Sequence, residues 1–510
     1  MLTHIKAAKC IGIEAVEVTV EVDIDNGVGI HLVGMADVAV KESLLRTTTA
    51  LISSGYRIPG RKIVINLAPA DMKKNGSGYD LPIAVGIIAA SAQAEFPEPE
   101  SYLIMGELGL DGSLRYIPGG LVYAELASRA GLKGIILPEA SAAEAAEIDG
   151  LTVYGAHTLA EAVEILRSPG SADALKVGRS PEPGGSAQKK AAVDFSEIIG
   201  QESAKRGMEI AAAGAHNIIM IGPPGSGKTS LAKALAGILP PMSRSEALLT
   251  GRIYSVAGKH RGATDRERPF RAPHCSASLA AMIGGGSGSS ITPGEVSLAC
   301  NGVLFLDEFG QIPHTVTEAL RGPMEDRKVV ISRMRSKVEF PASFMLVAAS
   351  NPCPCGWYGE GDRCSCSPYQ RAAYLSRLSG PIMDRMDIQV RVRPVPSEEI
   401  LRRGYAEASS AIAARVLEAR QMQKRRFATE EIETNSEMST AQIRRFCRLD
   451  GACAALLGEI LEKQQLSMRA YFRIIKVARS IADLAGSADI RQEHILEAAS
   501  FRLLDRVEFL

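Results

Sequence analysis

Short apolar runs alternate with longer amphipathic stretches through the middle of the chain. The runs Ile218–Ile221 and Val303–Leu306 are uninterrupted, and a third apolar run ends at Asn351. Runs of this kind, bounded by polar or glycine-rich segments, are typical of strands buried on both faces. The alternation up to about Arg393 therefore predicts a parallel sheet covered by helices on both sides.

The pattern changes after residues 394–396, where strands give way to helices. Five helices are predicted there, at residues 397–424, 439–448, 452–466, 470–485 and 491–504. We interpret this region as a helical lid domain.

A break in composition separates a first domain from this core. Residues 168–190 contain almost no large apolar side chain and several prolines and glycines, which is typical of a flexible linker. The sequence thus predicts an α/β multidomain protein. Its parts are a first domain at 1–167, a linker at 168–193, a core at 194–396 and the lid at 397–510.

The first apolar run of the core leads into GPPGSGKT at residues 222–229, which has the spacing of a phosphate-binding loop. The helix predicted from Ser230 to Leu239 would begin at this loop, so its N-terminus would face an anion. The residues expected to bind the nucleotide are Gly222, Pro223, Pro224, Gly225, Ser226, Gly227, Lys228, Thr229, Ser230 and Asp307.

Each polar side chain of this site has an expected role in the chemistry of ATP. Lys228 supplies a positive charge to the outer phosphates, and the Thr229 hydroxyl holds Mg²⁺. The run Val303–Leu306 is followed by two carboxylates. Asp307 suits the magnesium ion and Glu308 suits the activation of a water molecule, so the sequence predicts ATP and Mg²⁺ as cofactors.

Composition limits where this activity takes place. The chain has 510 residues, no apolar run long enough to span a bilayer, and no signal-peptide layout at its start. We therefore expect a cytoplasmic protein without membrane contact. Because the formal net charge is +0 and the pI is near 7.1, any contact with nucleic acid must be local.

Four of the nine cysteines lie close together, within residues 353–366. Cys353, Cys355, Cys364 and Cys366 form two C-x-C pairs across a short glycine-rich loop. Four thiolates in this arrangement favour a structural Zn²⁺ site; two local disulfides or a redox switch are the alternatives. The remaining cysteines, expected to be inert packing residues, are Cys10, Cys275, Cys300, Cys447 and Cys453.

Several segments of the core and lid resemble those of AAA+ ATPases. Asn351 stands at the end of a strand like the sensor 1 residue, which orients the attacking water. Residues 378–387 resemble the segment that carries the arginine finger, with Arg385 the better candidate and Arg377 the second. Residues 467–469 resemble sensor 2, which implies Arg469 near the γ-phosphate, with Arg473 one helical turn further on. The resemblance also implies a ring of subunits, a hexamer.

The first domain resembles the catalytic domain of Lon proteases, which has a ribosomal-S5-like α/β fold. The resemblance rests on residues 62–71, 74–89, 106–115 and 136–138. Peptidase chemistry would need a serine nucleophile and a lysine base, but Gly78 and Val122 stand at the matching positions. Ser77 is one residue away, without an evident partner, and Asp80 is interpreted as a cap or turn residue. We expect a Lon-like scaffold without protease activity.

Taken together, these segments resemble the YifB/ComM family of magnesium-chelatase-like AAA+ ATPases. The resemblance is strongest at residues 74–82, 268–274, 284–286, 293–295, 351–356 and 379–385. It implies a hexameric, ATP-driven DNA helicase that promotes branch migration while incoming DNA is integrated during natural transformation. The alternatives are a chelatase motor and an ATPase that remodels a protein.

Two further segments bear on a DNA partner. Residues 327–337 alternate basic and apolar side chains, which predicts a hairpin with one charged face. Several copies around a ring would concentrate these cations; the alternative is a solvated edge hairpin. Arg271, His274 and the loop at 284–290 are expected to form a mobile insert facing the pore or the nucleotide, with His274 a hydrogen-bonded structural histidine.

Overall fold

The computed structural model describes residues 2–35, 37–74, 76–179, 193–259, 261, 265–286, 291–333, 336–378, 382–395 and 406–502. These residues form an N-terminal mixed-sheet domain, a core with a parallel five-stranded sheet, and a helical C-terminal region. The predicted α/β multidomain fold class is confirmed.

The first domain is built on a seven-stranded sheet with strand order β3-β4-β2-β1-β5-β8-β9. β2 runs antiparallel to β1 and β4, and the other neighbours are parallel. Its elements are β1 (Thr3–Ile11), β2 (Glu14–Asp25), β3 (Ile30–Val33), α1 (Val38–Ser53), β4 (Lys62–Ala68), α2 (Asp80–Ala90), β5 (Tyr102–Ile104), β6 (Glu107–Leu108), β7 (Leu114–Arg115), α3 (Gly120–Arg129), β8 (Gly134–Pro138), α4 (Glu139–Ala145), β9 (Thr152–Ala156) and α5 (Leu159–Arg167).

The positions that match the Lon dyad lie in apolar packing. A Cβ placed on Gly78 would lie 3.0 Å from Cε of Met105 and 3.8 Å from Cδ1 of Ile117. Val122 is buried in α3. Ser77 does have a partner, contrary to expectation, because its hydroxyl donates to the Glu107 carboxylate. That partner is not a lysine, so these positions support a scaffold without Ser-Lys chemistry.

Asp80 is an internal ion-pair residue, which corrects its interpretation as a simple cap or turn residue. Its carboxylate is fully buried at the start of α2. It accepts hydrogen bonds from Nε and Nη2 of Arg46 at 3.0 and 3.2 Å, and from the Leu108 amide at 3.2 Å. Asp80 therefore ties α1 and α2 to the strand β6.

Replacing Arg46 with methionine is expected to destabilise the first domain by about 3–5 kcal/mol near pH 7, because the buried Asp80 carboxylate loses its counter-charge. Burial already raises the pKa of Asp80 to about 6. Near pH 5 the folded carboxyl binds a proton that the unfolded one does not, so the deficit shrinks on acidification. Hydrogen exchange of β2 in the full chain, expressed as a free energy of opening, measures the change.

The matched control is the double variant Arg46→Met with Asp80→Asn. Asparagine does not ionise, so the free energy of opening should then lose its dependence on pH between about 5 and 7. An Arg46→Met deficit of the same size at both pH values would contradict the assignment.

The core domain has a parallel sheet with strand order β11-β14-β17-β10-β18. Its elements are α6 (Glu202–Gly214), β10 (Ile218–Ile221), α7 (Lys228–Ala236), α8 (Arg244–Val256), β11 (Phe270–Arg271), α9 (Leu279–Ile283), β12 (Gly284–Gly285), β13 (Thr292–Pro293), α10 (Glu295–Leu298), β14 (Val303–Leu306), α11 (His314–Asp326), β15 (Lys328–Arg333), β16 (Ser336–Pro341), β17 (Met345–Ser350), α12 (Pro368–Leu378) and β18 (Ile388–Arg391).

The register of this sheet aligns the ends of its central strands. Ile221 is paired with Ser350 on one side and with Arg391 on the other. Leu306 is paired with Ala348. The residues that follow β10, β14 and β17 therefore meet at one edge of the sheet, which we call the carboxyl edge. The opposite edge, where these strands begin, is the amino edge.

Within residues 406–502 the helical region contains five α-helices, at places that match the five predicted. They are α13 (Ser409–Arg426), α14 (Thr440–Phe446), α15 (Gly451–Gln464), α16 (Met468–Leu484) and α17 (Gln492–Ser500). The predicted start of the first helix, at 397–405, lies outside the described residues.

This region packs near the amino edge of the core sheet. Nη2 of Arg420 donates to the Ala212 carbonyl at 2.9 Å, and Nε2 of Gln423 donates to the Ala213 carbonyl at 2.9 Å. Ala212 and Ala213 form the end of α6, just before β10 begins. The predicted helical domain is therefore present, and it packs away from the phosphate loop of the same chain.

Part of the predicted linker is structured. Leu175 and Val177 pack against the core of the first domain, and Lys176 forms a bridge to Tyr154 of β9. Nη1 of Arg179 lies 3.1 Å from the Asp149 carboxylate. Residues up to 179 thus extend the first domain, and 180–192 lie outside the described residues.

The first domain packs against the core domain. The Gly119 amide donates to the Ser255 carbonyl at 3.0 Å, and Arg252 of α8 forms an ion pair with Glu125 of α3. Ile13, in the turn between β1 and β2, packs into the apolar core beside the β15–β16 hairpin. In the described part of the chain, no helix is both long and apolar enough to cross a bilayer.

Candidate nucleotide-binding site

The loop at residues 222–229 leaves the carboxyl edge after β10 and leads into α7. Gly225 and Gly227 have φ angles of +76° and +89°, which side chains rarely adopt, so glycine is needed at both positions. The loop wraps the start of α7, whose free backbone N–H groups favour an anion. The predicted phosphate-binding geometry is thus present in the backbone.

Lys228 is held by neutral acceptors at this edge. Its Nζ donates to the carbonyls of Gly222 and Pro223 at 2.7 and 2.8 Å, and to Oδ1 of Asn351 at 3.3 Å. Burial lowers the pKa of Lys228, because the charged ammonium is partly removed from water. A phosphate oxygen would offer this ammonium the anionic partner that it lacks here.

The residues expected to hold Mg²⁺ are in contact. The Thr229 hydroxyl donates to Oδ2 of Asp307 at 2.9 Å, which joins the loop to the end of β14. A hydroxyl and a carboxylate oxygen side by side are ligands that suit Mg²⁺. Glu308, the next residue, has a left-handed backbone with φ 50° and an exposed side chain.

These residues surround a cavity of about 760 Å³. Its volume falls in the range of cofactor sites, which is about 300–1,000 Å³. Among the described residues, none from the helical region lines this cavity. The residues that line it are Pro224, Gly225, Ser226, Gly227, Lys228, Thr229, Ser230, Ala272, Pro273, His274, Cys275, Phe305, Asp307, Glu308, Ser350 and Asn351.

Residues 272–275 form one wall of the cavity; of these, the sequence pointed only to His274, as part of an insert facing the pore or the nucleotide. Cys275 lies with Sγ 3.7 Å from Oε2 of Glu308, which corrects the expectation that it is an inert packing residue. His274 also lines the cavity, and its Nδ1 lies 2.7 Å from Oγ of Ser276. The position of the segment in the chain explains why it lines the cavity. It follows β11, which runs parallel to β14, so it reaches the same carboxyl edge as Asp307.

The expected mobile insert is only partly described. Arg271 forms a two-point ion pair with Glu295, at 2.6 and 2.7 Å, and so braces β11 against α10. Gly284 and Gly285 pair with residues 292–293 in a small hairpin. Residues 287–290 of the predicted loop lie outside the described residues.

Arg385 lies at the amino edge, away from this cavity. Its carbonyl accepts a hydrogen bond from Nδ2 of Asn217 at 3.1 Å, and Asn217 directly precedes β10. Because β10 has four residues, the two edges are roughly 13 Å apart at about 3.3 Å per residue. The guanidinium of Arg385 forms an ion pair with Glu325 of α11.

Arg469 also lies at the amino edge. Its Nη1 donates to Oδ2 of Asp384 at 3.2 Å, next to Arg385 in the chain. Arg473 follows, with Nε 3.7 Å from Oδ1 of Asp387. Within a single chain, the placement of Arg469 near the γ-phosphate is therefore corrected. The side chain of Arg377, the second finger candidate, lies outside the described part of the structure.

The four cysteines of residues 353–366 converge on one point. Their Sγ atoms all lie within 4.8 Å of one another, and each cysteine has a free thiol. The cluster directly follows Asn351, so it borders the nucleotide cavity.

The basic segment forms the predicted hairpin, from β15 and β16. Val329, Ile331, Val338 and Phe340 face inward. The described outward face is mixed in charge, because Glu339 lies 3.2 Å from Lys328 and 3.8 Å from Lys337. Arg327 is not part of that face, since it forms an ion pair with Glu437. Residues 334–335 lie outside the described residues.

Comparison with known proteins identifies the family. The model of subunit ChlI of Mg-chelatase matches residues 20–141, that of magnesium chelatase subunit ChlI matches 194–400, and that of the ChlI C-terminal region matches 406–502. The protein YifB of Salmonella typhimurium is 42% identical over 510 residues, which cover 99% of this chain and 97% of YifB. The competence protein ComM of Haemophilus influenzae is 40% identical over 503 residues, which cover 97% of this chain and 96% of ComM. This chain belongs to the YifB/ComM family.

Membership of the YifB/ComM family makes the chain a magnesium-chelatase-like AAA+ ATPase. The family inferred from the motifs is therefore confirmed. The archaeal Lon protease of Methanocaldococcus jannaschii is 25% identical over 144 residues, which cover 28% of this chain and 22% of the protease. Together with the mixed sheet of the first domain, this similarity confirms the predicted Lon-like fold.

Proposed function

We propose that this protein forms a ring, a hexamer, that hydrolyses ATP between subunits and drives DNA through its centre. Its biological work would be branch migration during the integration of incoming DNA. The observation that carries the proposal is the separation of the ATP cavity, at the carboxyl edge, from Arg385 and Arg469, at the amino edge.

This separation favours catalysis shared between subunits. The described lining of the cavity contains Lys228 but no guanidinium. Phosphoryl transfer commonly uses an arginine from a neighbouring protein to stabilise charge on the γ-phosphate. If the carboxyl edge of one subunit faces the amino edge of the next, Arg385 and Arg469 reach the neighbour's ATP.

The residues of the cavity then have distinct tasks. Lys228 exchanges the carbonyls that it contacts for the outer phosphates, and Thr229 and Asp307 would hold Mg²⁺, which would offset the phosphate charge. Glu308 accepts a proton from the attacking water. Asn351, beside Lys228, orients that water. ATP and Mg²⁺ are the cofactors of this proposal.

Two observations support DNA as the partner. One is the similarity to the competence protein ComM along nearly the whole chain. The other is the β15–β16 hairpin, whose outward face carries Lys328 and Lys337 on either side of Glu339 and would be repeated around a ring. Because phosphate contacts release counterions, binding of this kind weakens steeply with salt.

ATP hydrolysis is expected to accelerate when forked or four-way DNA is added, and the acceleration is expected to fade as salt rises. The test measures turnover with and without defined junctions, alongside the mass of the assembled particle in ATP and Mg²⁺. Lys328→Gln with Lys337→Gln should lower the stimulation without lowering the rate in the absence of DNA. Turnover that no DNA structure changes would remove the helicase assignment.

The alternative is a chelatase motor or a protein-remodelling ATPase, which the matches to magnesium chelatase models favour. It uses the same ATP cavity but a protein partner. Turnover raised by a protein partner and unaffected by DNA junctions would support this alternative.

A further inference from the structure

We propose that Cys353, Cys355, Cys364 and Cys366 bind one Zn²⁺ ion and that the bound ion holds the phosphate loop in the shape that receives ATP. The inference rests on the proposed nucleotide site and is independent of DNA as a partner. The loop formed by residues 353–366 is called the cysteine knuckle below.

The sulfur atoms have the spacing of a tetrahedral site. Zn–S bonds of about 2.3 Å at tetrahedral angles separate the sulfurs by about 3.8 Å. Sγ of Cys353 lies 3.3 Å from that of Cys355 and 3.9 Å from that of Cys364, and the Cys355 and Cys364 sulfurs are 3.7 Å apart. The Cys366 sulfur completes the group within 4.8 Å.

The arrangement suits one shared ion better than two disulfides. Disulfides join sulfurs in pairs at about 2.05 Å, whereas Cys353, Cys355 and Cys364 are mutual neighbours. The amide of Cys355 donates to Sγ of Cys366 at 3.4 Å. A hydrogen bond of this kind stabilises the thiolate form that a metal needs.

The cysteine knuckle contains little regular structure and buries little apolar surface. Its regular structure is a single 3₁₀ turn, Gly361–Arg363, and most of its described side chains are partly or fully exposed. A segment that buries so little apolar surface does not offset the entropy of its own ordering. Metal binding supplies that folding free energy.

The cysteine knuckle touches the phosphate loop directly. Gly356 has a φ of +85°, and a Cβ there would lie 2.6 Å from Cδ and 2.8 Å from Cγ of Pro224. A second link runs from Nη2 of Arg391, at the end of β18, to the Gly359 carbonyl at 3.1 Å. Since Asn351 leads into the knuckle and contacts Lys228, two connections join the knuckle to the nucleotide site, and the Arg391 contact joins it to the neighbouring strand β18.

The metal is tested first. The purified full chain should contain one zinc ion per chain by elemental mass spectrometry, and exchange for Co²⁺ should produce the intense visible bands of a tetrahedral thiolate site. Cys355→Ser with Cys366→Ser should lose both signals. The control Cys447→Ser, a buried thiol elsewhere, should keep them. Absence of bound metal in the parent, or iron in place of zinc, overturns the proposal.

The link to ATP is tested with a pair of glycine variants that retain every cysteine. Gly356→Ala pushes a methyl group into Pro224 and is expected to weaken binding of a fluorescent ATP analogue by about tenfold, with zinc retained. Gly361→Ala is the matched control, because its φ is also positive, at +64°, but a Cβ there meets nothing within 4 Å. It should retain both zinc and ATP affinity.

The outcomes separate this inference from the proposed function. Equal ATP affinity in Gly356→Ala and the parent overturns the link, and so does unchanged affinity in the zinc-free cysteine variant. Neither result bears on DNA. Conversely, if DNA does not stimulate turnover, the expected zinc content and the expected ATP affinities of the two glycine variants stay the same.

Discussion

The Glu308→Gln variant is expected to bind ATP and to lose its turnover by about 10²–10⁴-fold, the usual contribution of a general base. Glutamine has nearly the same shape as glutamate but accepts no proton from water. Glu308 lies on the cavity wall beside Cys275 and one residue from Asp307, so the substitution leaves the magnesium ligands in place. Phosphate release and binding of a fluorescent ATP analogue measure the two effects.

A matched control is Glu164→Gln, the same chemical change on the exposed face of α5 in the first domain. It should retain full turnover. Unimpaired turnover in Glu308→Gln would remove Glu308 from the catalytic role, and Asp307 would then be the next carboxylate to test.

The Arg385→Ala variant is expected to lose about 10³–10⁵-fold in turnover while its ATP affinity stays close to that of the parent. The reason is that Arg385 lies at the edge opposite its own cavity and, in the proposed ring, acts on the ATP of a neighbour. Single-turnover hydrolysis at saturating ATP measures the loss. Arg321→Ala, which removes a half-buried ion pair with Glu318 on α11, is the matched control and should retain turnover.

Mixing two inactive variants distinguishes a catalytic site shared between subunits from a simple loss of folding. Lys228→Ala and Arg385→Ala are each expected to be inactive alone. Mixed rings contain some interfaces with an intact Lys228 on one side and an intact Arg385 on the other, so turnover should return. Co-assembled mixtures that stay inactive at every ratio would contradict catalysis across the interface. The variant Glu325→Gln removes the ion pair of Arg385 but keeps Arg385 itself, so its turnover measures the effect of that ion pair alone.

Much of the nucleotide site was predictable because its parts are local. In residues 222–229 the spacing of glycine, lysine and threonine within one turn dictates the loop geometry. Asp307 and Asn351 were predictable for a related reason: each ends an apolar run, and the carboxyl ends of parallel strands share one edge. The same local logic applies to the cysteines of 353–366, whose close spacing brings four sulfurs together.

Other features depend on segments that are far apart in the chain. The ion pair between Arg46 and Asp80 joins two helices, and the wall at 272–275 meets Glu308 only because β11 lies beside β14. No periodicity in the sequence encodes such contacts, since they arise from the order of strands and the packing of helices.

The sequence by itself determined the phosphate loop, the alternation of strands and helices along the core, the cysteine cluster and the family, because short-range backbone geometry and local spacing dictate each of them. Only the tertiary structure decided that the helical region packs near the amino edge and that Arg385 and Arg469 lie there, away from the ATP cavity of their own chain. The physical reason is that the side on which a helix packs depends on which distant apolar surfaces it buries. In the proposed ring, each subunit would therefore contribute its ATP cavity to one interface and Arg385 and Arg469 to the other.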